Sequence, residues 1–255
     1  MNEQRTKISL LKDAPIPKAL ISLGIPIMVG MLINALYNLV DAYFVGGLGK
    51  SPMGAISIVF PLGQVVVGLG LMFGNGAASY LSRLLGCGDK KTADAVASTA
   101  LYSSLFVGAV LIIFALIFLK PILILLGATE TILPYAFTYA RIYILSCIFN
   151  VFNVTMNNIA ASEGAAKTTM CALLLGALIN IGLDPLFINT FHMGVAGAAI
   201  ATAISQFVST LIYVSYILRK KSTFTFRLKA FALNRQIFLE IFKIGIPTLT
   251  FQLLT

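Results

Sequence analysis

The chain has 255 residues, of which 58% are hydrophobic and only 11% charged, with a mean hydropathy of +0.94. Soluble domains carry about 25% charged residues, so this chain cannot cover a water-facing surface. The net charge of +9 would suit nucleic acid, but the Lys and Arg residues sit in the breaks between apolar runs, which excludes that reading.

Six apolar runs of about 20 residues or more follow one another, each long enough to cross roughly 30 Å of hydrocarbon. Within lipid only helices and closed barrels satisfy the backbone, and these runs are far longer than barrel strands. The sequence predicts an all-α polytopic membrane protein.

Residues 1–18 are polar and basic, and Pro15 and Pro17 mark the entry to the first span. The stretch Pro26–Gly49, PIMVGMLINALYNLVDAYFVGGLG, is apolar almost throughout and carries one carboxylate, Asp41. Pro26 removes a backbone hydrogen bond inside this span and is expected to act as a hinge. Span two is expected over about residues 53–82, with Gly70 and Gly74 at the spacing that lets helices approach closely. A short polar turn, SRLLGCGDKKTADA, should follow it.

Span three is expected over about 93–119, stopping at Lys120-Pro121. Span four, about 131–158, contains Tyr139, Arg141, Asn150, Asn153, Asn157 and Asn158, with Arg141 near the outer end, where it reads as snorkelling to the interface ahead of a buried role. Span five, about 168–188, holds Asn180 and Asp184 before Pro185. Span six, about 195–218, opens with the small residues GVAGAAIATAISQ. A basic, aromatic-containing connector, 219–236, reads either as an interfacial amphipathic helix or as a plain linker.

The last residues repeat the first span. EIFKIGIPTLTFQLLT matches ALISLGIPIMVGMLIN when Gly245-Ile246-Pro247 is laid on Gly24-Ile25-Pro26, an offset of 221 residues. A seventh span therefore begins at about residue 237 as a copy of the first. Repeats of this kind mark transporters, and six spans per repeat make the copies parallel. The expected organisation is an N-terminal segment (1–18), a six-span lobe (19–218), the connector (219–236) and the start of a second lobe (237–255).

Basic residues precede span one and fill the breaks after spans two, four and six, whereas the alternate connections hold only Lys50 and Lys120. By the positive-inside rule the N-terminus is cytoplasmic and the protein lies multi-pass in the cell membrane. Cys87, Cys147 and Cys171 are isolated, and the single histidine, His192, falls in a predicted outer loop, so neither disulfides nor a metal cluster are expected.

Depth along the helices groups the polar residues. At 1.5 Å per residue, Asp41 lies about 7.5 Å from the outer end of span one, Asp184 and Asn180 roughly 6 and 12 Å from that of span five, and Thr202 roughly 12 Å into span six. Tyr37 is one turn from Asp41, and Asn180 one turn from Asp184, so each pair shares a face. Two carboxylates, an amide and a hydroxyl at one level suit a hard cation, or a proton held by a desolvated carboxylate. The alternatives are a helix-end aspartate at the headgroups for Asp41, a terminal Asp-Pro for Asp184 and a hydroxyl bonding its own backbone for Thr202.

Four landmarks occur in order: VDAYFVGGLG, ASYLSRLLGCGDKKTADA, ASEGAAKTTM with LINIGLDPLFI, and GVAGAAIATAISQ. Together they make the chain resemble the N-terminal half of the multidrug and toxic compound extrusion (MATE) transporters, prokaryotic branch. The resemblance implies a twelve-span, two-lobe antiporter exporting organic cations in exchange for Na⁺ or H⁺, without a further cofactor. It implies that Asp41, Asn180, Asp184 and Thr202 form the coupling-ion site, that Tyr37, Tyr139 and Asn157 line the substrate cavity, and that a C-terminal lobe is needed for transport. A lipid-linked sugar flippase of the same superfamily is the alternative; it should line its cavity with several basic residues, and only Arg141 is available. An intramembrane enzyme would need a nucleophile with a base, or a metal cluster, and the spans contain no histidine, HExxH or GxSxG.

Overall fold

The computed structural model describes residues 15–254, without the side chains at 16, 18–20, 23 and 34. The expected N-terminal segment therefore lies, up to residue 14, outside the described residues. Among the described residues, seven helices are long and apolar enough to cross a membrane. Span one is Ile16–Gly46, span two Lys50–Cys87, span three Lys90–Ile117, span four Leu133–Ser162, span five Ala166–Pro185, span six Val195–Leu218 and span seven Arg235–Leu254.

Several boundaries move from their expected places. Span two continues to Cys87, and the polar turn after it shrinks to Gly88 and Asp89. Gly88 adopts φ +76°, a left-handed conformation that only glycine enters freely, and the amides of Gly88 and Asp89 bond back to Leu85 and Leu84. Asp89 then caps span three by accepting from the Thr92 amide at 3.1 Å. One residue thus closes one helix and opens the next.

Lys120-Pro121 does not end the helical structure after span three. Leu119–Leu125 forms a further short helix with Pro121 in its first turn, where its missing N–H is harmless. Leu119 and Leu123 are buried beside span four, so this helix is part of the core. Span five ends in a π turn, Leu186–Thr190, in which the Phe191 amide reaches the Leu186 carbonyl at 2.9 Å.

Spans two and four form the centre. Span two lies against spans three, four and seven, and span four against spans two, three and six; span six then meets span five, and span five meets span one. The chain of contacts runs seven, two, four, six, five, one, with span three behind two and four. Gly70 and Gly74 face Val154 and the Thr155–Asn158 stretch of span four, and an added Cβ at Gly70 would come within 2.8 Å of Val154. That is the close approach the spacing predicts. Outward faces carry Phe106, Ile113, Ile117 and Leu211 exposed, the arrangement of helices whose solvent is lipid.

The connector is neither an amphipathic helix nor a loose linker. Apart from one short turn, Leu228–Ala230, residues 219–234 are irregular and strapped across one end of the bundle. Asp94 of span three accepts both the Thr225 amide (2.8 Å) and hydroxyl (2.9 Å), and Thr99 both gives to and receives from Ala232. At the end of span four, Glu163 is buried and accepts from the Tyr216 and Ser222 hydroxyls and the Thr223 amide. Phe224 sinks into the core between these anchors. Irregular backbone needs such partners, and two carboxylates supply them.

Candidate functional site

The helical registers decide whether the depth-matched residues meet. Gly30 of span one presses on Leu173 of span five, where an added Cβ would come within 2.9 Å. The spans run parallel, and eleven residues further along each stand Asp41 and Asp184. The two carboxylates therefore come level, as do Tyr37 and Asn180 one turn below. Asp41 is within electrostatic reach of Asp184.

Span six runs antiparallel to span five. Gly197 meets the Phe187 backbone and Gly176 meets Ser205 and Ser209. That register sets Thr202 between the levels of Asn180 and Asp184. Thr202 is half-buried, and its carbonyl accepts from the Ser205 hydroxyl at 2.8 Å. Spans one and six touch only sparsely, so Thr202 approaches the carboxylates from across span five.

The burial of this group is unusual. Asp184 is 0% exposed and Asn180 1%. Both carboxylate oxygens of Asp184, both amide atoms of Asn180 and Oδ1 of Asp41 are buried with no hydrogen-bond partner among the described residues. An unmade hydrogen bond at a buried polar atom costs about 1–3 kcal/mol, more for a charged group, so these five atoms on two neighbouring helices are where water, a cation or a proton would be accepted. Oxygen and amide donors of this kind match a hard cation or protons better than a soft metal. The terminal Asp-Pro alternative for Asp184, with headgroup water as partner, does not fit its burial, whereas Asp41 is half-buried with its Oδ1 shielded.

Span four contributes the wall. Tyr139, 5% exposed, stacks on Tyr143 with ring centroids 5.6 Å apart and planes at 13°. Asp41 and Tyr37 are within electrostatic reach of both rings. Tyr143 was absent from the sequence-derived set, although its place one turn from Tyr139 gives it the same face. Asn157 does not join this group. It lies 18 residues from Tyr139, about 27 Å along the helix, and accepts from the Tyr213 hydroxyl at 3.1 Å. Asn153 lies between, donating to Gln206 and accepting from Thr210. Span four thus carries polar groups at successive depths.

Pro26 lies inside a continuous helix, Ile16–Gly46. Arg141 is exposed in a shallow recess with Leu116, Leu119, Phe137 and Leu145, on the side of span four away from Asp41. His192 sits in the irregular residues between the π turn and span six with φ +53°, and among the described residues no group of three or more His, Cys, Asp or Glu could hold a metal ion.

The MatE family model matches residues 26–186, which takes in span one from its proline through the buried Asp184. The chain belongs to the MatE family. Similar curated proteins are the multidrug export protein MepA of Staphylococcus saprophyticus, 35% identical over 93% of this chain and 53% of that protein, and MepA of Staphylococcus aureus strain MRSA252, 34% identical over 95% and 54%. Among solved structures, a MATE transporter in the straight conformation matches with TM-score 0.91 at 35% identity, covering 96% of this chain and 55% of that one. The bent conformation matches with TM-score 0.89, covering 97% and 55%. A MOP superfamily transporter from Pyrococcus furiosus, described by a reverse polarity of its binding pocket, matches with TM-score 0.90 at 35% identity, covering 96% and 54%. This MatE-family chain spans about half the length of the relatives it matches, and the half it matches is the N-terminal one.

Proposed function

We propose that the chain is the N-terminal lobe of an antiporter that exports organic cations, drugs among them, in exchange for Na⁺ or H⁺. Asp41, Asn180, Asp184 and Thr202 hold the coupling ion. Tyr37 and Tyr139 form the wall beside it, Asn157 contributes deeper in the substrate path, and Pro26 is the hinge of span one. The basic end of the bundle, with Lys90, Lys91, Lys167 and the connector, faces the cytoplasm. Residues 1–18 form a cytoplasmic segment, 19–218 the lobe, 219–236 the connector and 237–255 the start of a second lobe whose presence transport requires.

The observation that carries this reading is the set of buried, unpartnered atoms on Asp41, Asn180 and Asp184. A ligand shifts a conformational equilibrium only through different affinities in the two states, and charge placed on or removed from two level carboxylates supplies such a difference. The MepA relatives, named as multidrug export proteins, support the export half of the reading. The straight and bent MATE structures support a hinge. The acidic character of the site suits cationic cargo, and the outward placement of Arg141 disfavours the flippase alternative, which would need basic groups for a pyrophosphate.

Thermal unfolding of the purified chain in Na⁺ against K⁺, repeated across pH, tests the ion site directly. Ten times the Kd of a bound ion stabilises by about 1.4 kcal/mol. Wild type should gain this in Na⁺ or on acidification, while Asp41→Asn and Asp184→Asn should not. An equal response in both variants overturns the site. In a complete two-lobe protein the same substitutions should abolish coupled efflux, and the 255 residues alone should insert without pumping.

A further inference from the structure

We propose that the connector strap, residues 219–234, anchors the protein to anionic phospholipid. Leu228 and Leu233 enter the acyl chains, while Arg227, Lys229 and Arg235 at the start of span seven hold the headgroups. The proposal rests on the membrane-spanning fold and is independent of the ion site.

Span three sets the depth of the strap. Beyond the bonds from Thr225 to Asp94, the Ser98 hydroxyl donates to the Thr225 carbonyl at 3.0 Å and the Tyr102 hydroxyl to the Phe226 carbonyl at 3.4 Å. Thr99 exchanges bonds with Ala232. Asp94, Ser98, Thr99 and Tyr102 share one face of the helix and lie about 6–18 Å from its start at Lys90. The span has 28 residues, about 42 Å, against roughly 30 Å of hydrocarbon. With the excess shared between its two ends, this stripe begins where headgroups give way to acyl chains. Irregular backbone is tolerated at such a level only where protein takes up its polar groups, and the stripe does so on the side facing the bundle.

The strap has a second side. Phe224 is buried and Phe226 packs against the core, whereas Leu228 and Leu233 are 74% and 84% exposed. From Arg219 to Leu239 the chain carries Arg219, Lys220, Lys221, Arg227, Lys229 and Arg235 and no Asp or Glu. Arg227, Lys229 and Arg235 are exposed and pair with no carboxylate among the described residues. The turn Leu228–Ala230 lies against span three, the helix behind spans two and four whose Phe106, Ile113 and Ile117 face outward. The leucines therefore stand on the lipid side of the lobe.

Exposed apolar side chains interleaved with cations at headgroup depth form an interfacial pattern: the leucines cross into hydrocarbon and the cations stay with the phosphates. Such segments are usually helices, which satisfy their own backbone. Here span three supplies those bonds, so the segment can lie in the interface without being helical. The strap also joins span six to the repeat that opens with span seven, so anionic lipid would grip the joint between the two.

The chain contains no tryptophan, so Leu228→Trp and Leu233→Trp each introduce a single reporter. Each is reconstituted in phosphatidylcholine vesicles with and without phosphatidylglycerol, the acyl chains plain or brominated. With phosphatidylglycerol, brominated chains should quench either reporter at least twofold. Aqueous acrylamide should quench it at least twofold less than Lys91→Trp, placed at the exposed start of span three. Arg227→Gln with Lys229→Gln should halve the quenching by brominated lipid, and Asp41→Asn should leave it unchanged. Because tryptophan itself favours interfaces, a second measurement removes the leucines instead. Leu228→Ala with Leu233→Ala should speed tryptic cleavage after Arg227 and Lys229 in the same vesicles at least threefold.

Acrylamide quenching equal to that of Lys91→Trp overturns the anchor in favour of a strap in water. Protection from both quenchers overturns it in favour of a protein cover, a second lobe or a second copy. Lipid quenching that survives without phosphatidylglycerol and without both cations overturns the anionic assignment. Unchanged cleavage after loss of both leucines overturns their insertion. None of these outcomes touches the ion site, which the Na⁺ and pH dependence of unfolding tests separately.

Discussion

Acidic groups shielded to different degrees sit at opposite ends of this bundle and are treated in opposite ways. At the basic end, Glu163 is 1% exposed and its oxygens accept from Tyr216, Ser222 and Thr223, while Asp94 holds Thr225 with both oxygens. At the far end, Asp184 is just as buried and neither of its oxygens has a partner among the described residues. The first arrangement fixes a strap of irregular chain. The second leaves buried polar atoms unpaired, a cost that any species pairing them would remove. Burial alone therefore says little about a carboxylate's role; the count of satisfied oxygens separates the two.

The largest expected effect is at Glu163. Glu163→Ala removes the acceptor that Tyr216, Ser222 and Thr223 share and should cost about 3–5 kcal/mol, measured by thermal or denaturant unfolding in detergent. Asp184→Asn, by contrast, should change stability by less than about 1 kcal/mol or raise it, because it removes an unpartnered charge. Equal destabilisation by both would break the comparison.

Asp94→Asn keeps one acceptor for Thr225 and loses the charge, so its cost should be about 1–2 kcal/mol. Limited proteolysis between residues 219 and 234 should speed up in this variant before the spans themselves are cut. A strap as resistant as wild type would show that Asp94 does not hold it.

The smallest effect sharpens the comparison with an exposed acid. The Thr92 amide and hydroxyl, beside the Lys91 charge, hold the Asp89 carboxyl below its usual value of 3.8. A lowered value in the folded state means that the stability gained is present above the unfolded-state value and is lost as pH falls through the folded one. This contribution to the stability of wild type should therefore fade slightly below about pH 4. Asp89→Asn keeps the capping oxygen and should remove that part of the slope.

Much of the architecture was legible in the residues because membrane helices announce themselves locally. Run length gave six spans, the repeated Gly-Ile-Pro gave the start of a seventh, and span six ends where its apolar run ends, at Leu218. Misplaced boundaries were those set by turn geometry. Gly88 can reverse the chain in two residues, so the polar stretch around it stays helical on both sides, and Pro121 starts a helix that its position after Lys120 seemed to forbid.

The site divides in the same way. Depth along each helix is a property of one segment, so the match among Asp41, Asn180, Asp184 and Thr202 could be read by counting from helix ends. Asn157 was joined to Tyr139 by resemblance, and helical rise alone would have set them far apart. The connector's anchors could not be read at all, because Glu163 and Asp94 lie about 60 and 131 residues from the groups they bind. The sequence by itself determined the helices, their order and the depth of each polar group, since all three follow from local chemistry and a fixed rise per residue. Only the tertiary structure decided which carboxylates are satisfied and which are bare, since that depends on packing between helices distant along the chain, where Gly30 on Leu173 sets Asp41 level with Asp184.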